Sequence, residues 1–395
     1  MLHVESEVTA LDANSGLAVH VQSALERVRA VLARSGVAGV VVTTPGSVAW
    51  VTGGLNAPID RSAGQDVVWL AVGPQRACVL TTNVEEPRLL AEHAPHELGL
   101  DLRAVPWWDP SGLVAAAADE LAAPPSALGS DGHAGFGADL SRDLTRTRMA
   151  LDPWEQDKMR GLGRDAATAV QSALRAWHPG EDDRAVAARI AAAVERAGAC
   201  APVLLVGGDD RLRRFRHPVA AGRAVHEIVM AVLVASRDGQ HVALTRYAAT
   251  AAGARSMAGS LASVRRVHRR VLAASVPGAT AGDVLTELAR AYADEGVPDG
   301  WAGHYQGGPI GYAQREFEIA PVQVDSPWWT TVLPTGAAFA WNPSLPGGAK
   351  DEDTYLIRDG SPEAVTLTPD WPVADELVPA RPAVLVAGAV NAAGH

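Results

Sequence analysis

Between Gly303 and Glu318 the chain reads GHYQGGPIGYAQREFE. Glycines lie among apolar positions here, and they interrupt a strand wherever backbone or ligand comes close. The segment 303–319 is therefore expected as a glycine-rich strand region. Strands are expected after it near 336–341, 353–357 and 364–367, and helices before it at about 255–274 and 281–295. Upstream, strands are expected at 201–206, 227–235 and 240–246, the last two joined by Arg237-Asp238-Gly239. Asp152-Pro153 opens a helix over 154–177 with acidic residues early, where the helix dipole favours them, and a second helix covers 184–198. Helices flanked by two sheet-forming segments make this part α+β rather than doubly wound.

The preceding part reads as an α/β domain ending between Gly135 and Leu151. Leu25, Val28, Val31 and Leu32 give one apolar face to a helix from Val19 to Ser35. The runs 37–44 and 47–54 read as extended, and 67–73 and 76–83 form a hairpin around Pro74-Gln75. Helices are expected around 86–94 and 113–122. The domain plan is a flexible tail over 1–17, the α/β domain over 18–151, the larger domain over 152–375 and a flexible tail over 376–395.

Composition narrows the function classes. The chain has 395 residues, 48% of them hydrophobic and 20% charged, as in an ordinary globular protein. Thirty-four basic against 45 acidic residues leave a net charge of −11, which argues against a nucleic-acid partner. Two cysteines exclude a disulfide framework and a cysteine zinc site, and they fit a reducing compartment. The opening MLHVESEV has no secretory pattern, and no apolar run reaches the ~18 residues of a membrane span. A cytoplasmic protein without a membrane partner is expected.

Short catalytic signatures are missing: there is no P-loop and no G-x-S-x-G, and His226-Glu227 is followed by Met230 where a zinc-protease helix needs its second histidine. Instead, polar residues crowd into RLRRFRHP (211–218), LTRY (244–247), the opening segment, AWNPS (340–344) and AKDEDTYLI (349–357). Asn342, Glu352 and Asp353 sit where strands favour apolar residues, so they need partners such as Arg216, Arg246, Arg315 or Lys350.

The order of these clusters resembles the M24 peptidases, the creatinase/aminopeptidase P/methionine aminopeptidase family with the pita-bread fold. The resemblance covers about 155–372. It implies a C-terminal pita-bread domain preceded by a creatinase-type N-terminal domain, and a homodimer. In the family's metallopeptidases two Asp, one His and two Glu hold two metal ions. At the matching positions this chain has Val232 to Val234, Ala243, Gly308, Asn342 and Glu352, so one ligand of five survives. Glycine and aliphatic side chains offer no donor atom to offset two divalent cations. No metal and no other cofactor is expected.

Creatinase, within the same family, cleaves a C–N bond without metal, with a histidine as acid/base. His217 matches the family's loop histidine, His304 the histidine before the glycine-rich turn, and Glu352 the retained carboxylate. Arg315 replaces a histidine next to Glu316. His217 and Glu352 are the expected catalytic positions, and an imidazole can take and give a proton near neutrality. His304, Asn342, Glu316, Arg315, Arg216 and, from the first domain, Arg61 are the expected contacts to a small-molecule substrate. The expected activity is metal-independent hydrolysis of an amide- or amidine-type C–N bond. The alternatives are a non-catalytic pita-bread protein that binds a peptide or metabolite, and an Xaa-Pro-type metallopeptidase with an atypical metal site.

Overall fold

The computed structural model describes residues 2–55, 67–368, 371–374 and 381–386, with backbone only for 2–15. The chain forms two compact units. The first takes in the chain through Arg148, together with Asp152–Glu155 and Asp238–Gln240. The second takes in Met149–Leu151, Gln156–Arg237 and the chain from His241 onward.

In the first unit, β1 (Val40–Val42), β2 (Trp69–Val72), β3 (Ala77–Thr82), β4 (Asp101–Val105), β5 (Gly129–Ser130) and β6 (Ala138–Asp139) form one mixed sheet in the order β4-β3-β2-β1-β5-β6. The β2–β3 pair is antiparallel with Val72 opposite Ala77, which places Pro74-Gln75 in the tight turn that the sequence suggests. Val41, Trp69, Ala71, Leu80 and Val105 pack with Ala116 and Ala117 of helix α4 (Gly112–Glu120). Helix α1 (Leu2–Ser35) buries Val21, Leu25, Val28, Val31 and Leu32, the face read from their spacing.

Two readings of this unit change. The helix starts at Leu2 rather than Val19, so residues expected as a tail are helical; no proline interrupts them, and Val4, Val8 and Leu11 repeat at helical spacing. The run 47–54, read as extended, lies largely in helix α2 (Pro45–Thr52). Pro45 suits a first helical turn, and Gly53 (φ 70°) ends the helix as its N–H donates to Ala49. Six consecutive residues, Ser47 through Thr52, are buried, so the helix is apolar on all sides and shows no helical period.

The second unit contains the body of helix α6 (Pro153–Arg175), helix α7 (Asp183–Arg196) and a four-stranded sheet. That sheet joins β8 (Cys200–Gly208), β10 (Ile228–Arg237), β11 (Gln240–Ala249) and β16 (Leu385–Val386) in the order β16-β11-β10-β8, while the short β7 (Glu181–Asp182) and β9 (Ala224–Val225) pair with each other. Ile228 through Ser236 of β10 are all buried, the continuous pattern of a strand covered on both faces. Helix α9 (Ala251–Ala274) and helix α10 (Ala281–Asp294) supply Leu261, Val264, Val271, Leu285 and Leu288 to the core, against Met230, Val232, Phe339 and Trp341. Thr280 and Asp283 cap α10 reciprocally.

The second sheet is antiparallel and orders β12 (Gly307–Ile310), β13 (Ala338–Trp341), β14 (Tyr355–Leu356) and β15 (Glu363–Ala364). Its strands are shorter than the runs read from the sequence. The glycine-rich segment pairs only over Gly307–Ile310, and at Gly307 (φ 80°) a Cβ would lie 2.1 Å from the Ala340 carbonyl oxygen.

Of the C-terminal stretch expected to fray, 376–395, the described residues are 381–386, and these are held in place. Arg381 is buried and ion-paired, and Leu385–Val386 pair in parallel with Ala248–Ala249. Its anchors are Asp351, 30 positions away, and Ala248–Ala249, more than a hundred positions away, which local composition does not reveal.

Candidate active site

The candidate site lies in the second unit, where 215–218, β11, β12 and the connections after β12 and β13 converge. Its centre is a pair of imidazoles. His217 Nε2 and His304 Nε2 are 3.0 Å apart, so one ring donates and the other accepts. His217 reaches solvent and stacks at 6.2 Å on Tyr305, while His304 Nδ1 is buried without a partner. Burial, and then the charge of Lys350, push the His217 pKa down. Burial, Lys350, His217 and Arg216 push His304 down to about 2. The pair is therefore neutral at neutral pH, a proton-accepting state. Beside it a cavity of about 320 Å³ is lined by Trp301, His304, Tyr305, Gln306, Glu318 and Gln323.

Lys350 is the group that sequence reading missed as a site residue. It is only 3% exposed, and its Nζ donates to the Arg216 carbonyl at 3.3 Å. A tight loop delivers it: Leu345 N–H donates to the Ala349 carbonyl, and Ser344 bridges to Lys350. Gly348 (φ 100°) is needed there, since a Cβ would meet the Leu212 carbonyl oxygen at 2.7 Å. Burial lowers the Lys350 pKa to about 8, with Glu352 opposing that shift and Arg216 and Arg315 adding to it. The missed signal is compositional: only two of the chain's 34 basic residues are lysines, and one is buried here.

The other expected site residues divide. Arg216 is half-buried, donates to the Leu345 carbonyl, and joins the group through Lys350. Asn342 is buried, its N–H donates to the Gln306 carbonyl at 2.9 Å, and its Oδ1 has no partner. Arg315 Nη2 donates to Glu352 Oε1 at 3.1 Å, and Thr245 Oγ1 donates to Glu352 Oε2 at 3.0 Å. Glu352 is thus buried with both oxygens engaged, and Thr245 is a second residue that the sequence did not single out. Glu316 accepts from the N–H groups of Tyr312 and Ala313 through Oε1, so it holds its own turn. Arg61 lies outside the described residues.

The residues at the five family positions do not fit a pair of metal ions. Val232 and Ala243 are buried aliphatic residues on adjacent strands, Gly308 has no side chain, and Asn342 is uncharged. The remaining carboxylate, Glu352, already faces the Arg315 guanidinium. Among the described residues, one group of His, Cys, Asp and Glu has ligand atoms within 4.8 Å of one another: His20, Asp152 and Glu155, in the first unit. Asp152 and Glu155 cap the start of α6 reciprocally, and His20 spans Asp152 Oδ2 at 2.6 Å and the Trp50 carbonyl at 2.8 Å.

Residues 157–359, just over half of the chain, match metallopeptidase family M24. The chain belongs to family M24. This M24 chain has no match among curated protein sequences, but solved structures match it along most of its length. The dipeptidase PepE from Mycobacterium ulcerans superposes with a TM-score of 0.73 at 21% identity, covering 94% of this chain and 98% of the other. The Xaa-Pro dipeptidase from Bacillus anthracis gives 0.67 at 18% identity, covering 88% and 98%. The N-terminal domain of a FACT complex subunit from Eremothecium gossypii gives 0.63 at 12% identity, covering 88% and 96%. At these identities the likenesses establish the fold, the pita-bread architecture of M24 hydrolases. No helix among the described residues of this M24 chain is long and apolar enough to cross a membrane.

Proposed function

We propose that the chain is a metal-independent hydrolase that cleaves the C–N bond of a small molecule, with His217 transferring the proton. The observation that carries this is the neutral His217–His304 pair, 3.0 Å apart at the edge of a cavity of about 320 Å³. In this reading His217 takes a proton from water as its oxygen bonds to the substrate carbon. The same proton then goes to the nitrogen that leaves as the C–N bond breaks. His304 fixes the ring of His217, and Asn342 and Arg216 orient the substrate. Glu352 does not transfer protons in this scheme, because Arg315 and Thr245 occupy both its oxygens; it positions Arg315 instead.

A second reading is a binding protein without turnover. It is favoured by the same Nε2–Nε2 contact, which occupies a lone pair that a base would need. The experiment that separates the two is hydrolysis of a panel of amides, amidines and dipeptides by protein freed of metal with chelator. The first reading expects turnover that survives chelation and disappears in His217→Ala. Thermal stabilisation by a panel compound with no product would support the second. Turnover that chelator removes and divalent metal restores would return the site to the metallopeptidases. Homodimerisation in a cytoplasmic setting belongs to the same proposal. Two free cysteines support the setting, and light scattering measures the mass.

A further inference from the structure

A buried ammonium has three N–H donors and a full charge, and both need answering. Lys350 is 3% exposed, and its one acceptor is a neutral carbonyl, that of Arg216, at 3.3 Å. The charged groups around it do not balance it. Arg216 and Arg315 are cations, and the carboxylate that acts on it, Glu352, is ion-paired with Arg315 at 3.1 Å. His217 and His304 are held neutral. Arg216 in turn spends a guanidinium N–H on the Leu345 carbonyl.

Three further polar atoms in the same neighbourhood are buried and unpartnered: Asn342 Oδ1, Ser344 Oγ and His304 Nδ1. Ser344 lies directly across a β-bridge from Lys350. Orphaned polar atoms are rare in folded proteins. The Arg246–Asp353–His268 group also leaves three, but its charges are paired, so it is the unanswered charge of Lys350 together with these atoms that marks the place of a missing partner. The residue type adds to this. In a chain that uses arginine almost throughout, a lysine supplies a compact point charge where a planar fork is not required.

We propose that Lys350, with Arg216 and Ser344, forms a binding site for a single carboxylate group, and that the substrate of this cleft is a small carboxylate-bearing molecule. The proposal rests on the reading of this cleft as the substrate site. A singly charged group matches the one unpaired buried cation of this group, and its two oxygens can accept from the Lys350 ammonium and the Ser344 hydroxyl. In this chain the cleft has become an anion site where metal-binding relatives gather carboxylates around cations.

The test is calorimetry and thermal unfolding with acetate, malonate, phosphate and uncharged acetamide at fixed ionic strength. The variants are Lys350→Met, Arg216→Gln and His217→Ala. Saturable binding of acetate or malonate is expected in the parent and in His217→Ala. It should weaken roughly 10- to 100-fold in Lys350→Met, the size of a lost charge-assisted contact, and acetamide should not bind. Lys350→Met should unfold at the same or a higher temperature without ligand, since it removes an unanswered buried charge. If that variant does not fold, Arg216→Gln carries the comparison and should show weakened binding as well. No saturable carboxylate binding, or equal binding in Lys350→Met, would overturn the proposal. Phosphate binding more tightly than either carboxylate would overturn the assignment to a carboxylate. Carboxylate binding with no turnover on any substrate would leave the anion site standing and sink the hydrolase reading alone.

Discussion

Arg381 meets Asp351 at 2.6 Å and Asp353 at 3.4 Å, and Arg246 meets Asp353 at 2.7 Å, all of them buried. Two residues upstream of Asp353's neighbour Glu352, Lys350 is equally buried and meets one carbonyl. The first group balances two carboxylates with two guanidiniums. Burial alone would raise the pKa of Asp351, yet Arg381 and His268 hold it well below the ordinary carboxylate range. Both groups leave buried polar atoms without a hydrogen bond, Asp353 Oδ2, Arg246 Nε and His268 Nε2 in the first, but the second is rich in cations and its charge is not balanced. Balanced buried charge fixes a fold, and unbalanced buried charge points to a ligand. The difference lies within four consecutive residues, 350–353.

Variants can break this contrast. Arg381→Ala should have the largest effect, since it leaves Asp351 without its main counter-charge. A loss of about 3–5 kcal/mol is expected in urea unfolding, while Lys350→Met should cost nothing or stabilise. Equal losses in the two would erase the distinction. His217→Ala should lower turnover by about 10²–10⁴-fold with little change in unfolding, the usual scale for a lost acid–base group.

The pH dependence sharpens the contrast further. Lys350 binds its proton with a pKa of about 8 in the folded chain against an ordinary 10.5, so the unfolded chain holds more protons between these values. Stability relative to Lys350→Met should therefore rise from pH 8 to 10.5 as the buried ammonium is discharged. His217 and His304, which face it, are already held neutral below that window by burial and by Lys350 itself. A bound carboxylate should move the rise to higher pH. Thr245→Val should cost about 1–3 kcal/mol, less than Arg381→Ala, because it strips one hydrogen bond from Glu352 and leaves the Arg315 pair in place.

The sequence made the landmarks of the second unit readable because they repeat local rules: the long apolar β10, the hairpin turn Arg237-Asp238-Gly239 and the capped helices α9 and α10. Helix α2 escaped because a helix buried on all sides has no polar period to read. The imidazole pair was legible through the order of motifs, and the structure brings His217 and His304 within hydrogen-bonding distance. Lys350 lies in the cluster AKDEDTYLI but reads there only as a counter-charge for carboxylates, and its importance comes from what fails to surround it. Glu316 shows the converse, since an acid in a motif-like place can be spent on the N–H groups of its own turn. Arg381 was hidden because its partners are set by tertiary packing.

The central claim is that this cleft binds a carboxylate where metal-binding relatives bind metal. Calorimetric titration of chelator-treated protein with Mn²⁺ and then with malonate tests it most directly, with Glu352→Gln as the comparison. The account predicts saturable, stoichiometric malonate binding and no metal binding that depends on Glu352, whatever the His20–Asp152–Glu155 group in the first unit does. Stoichiometric metal binding lost in Glu352→Gln, with no heat from malonate, would contradict it.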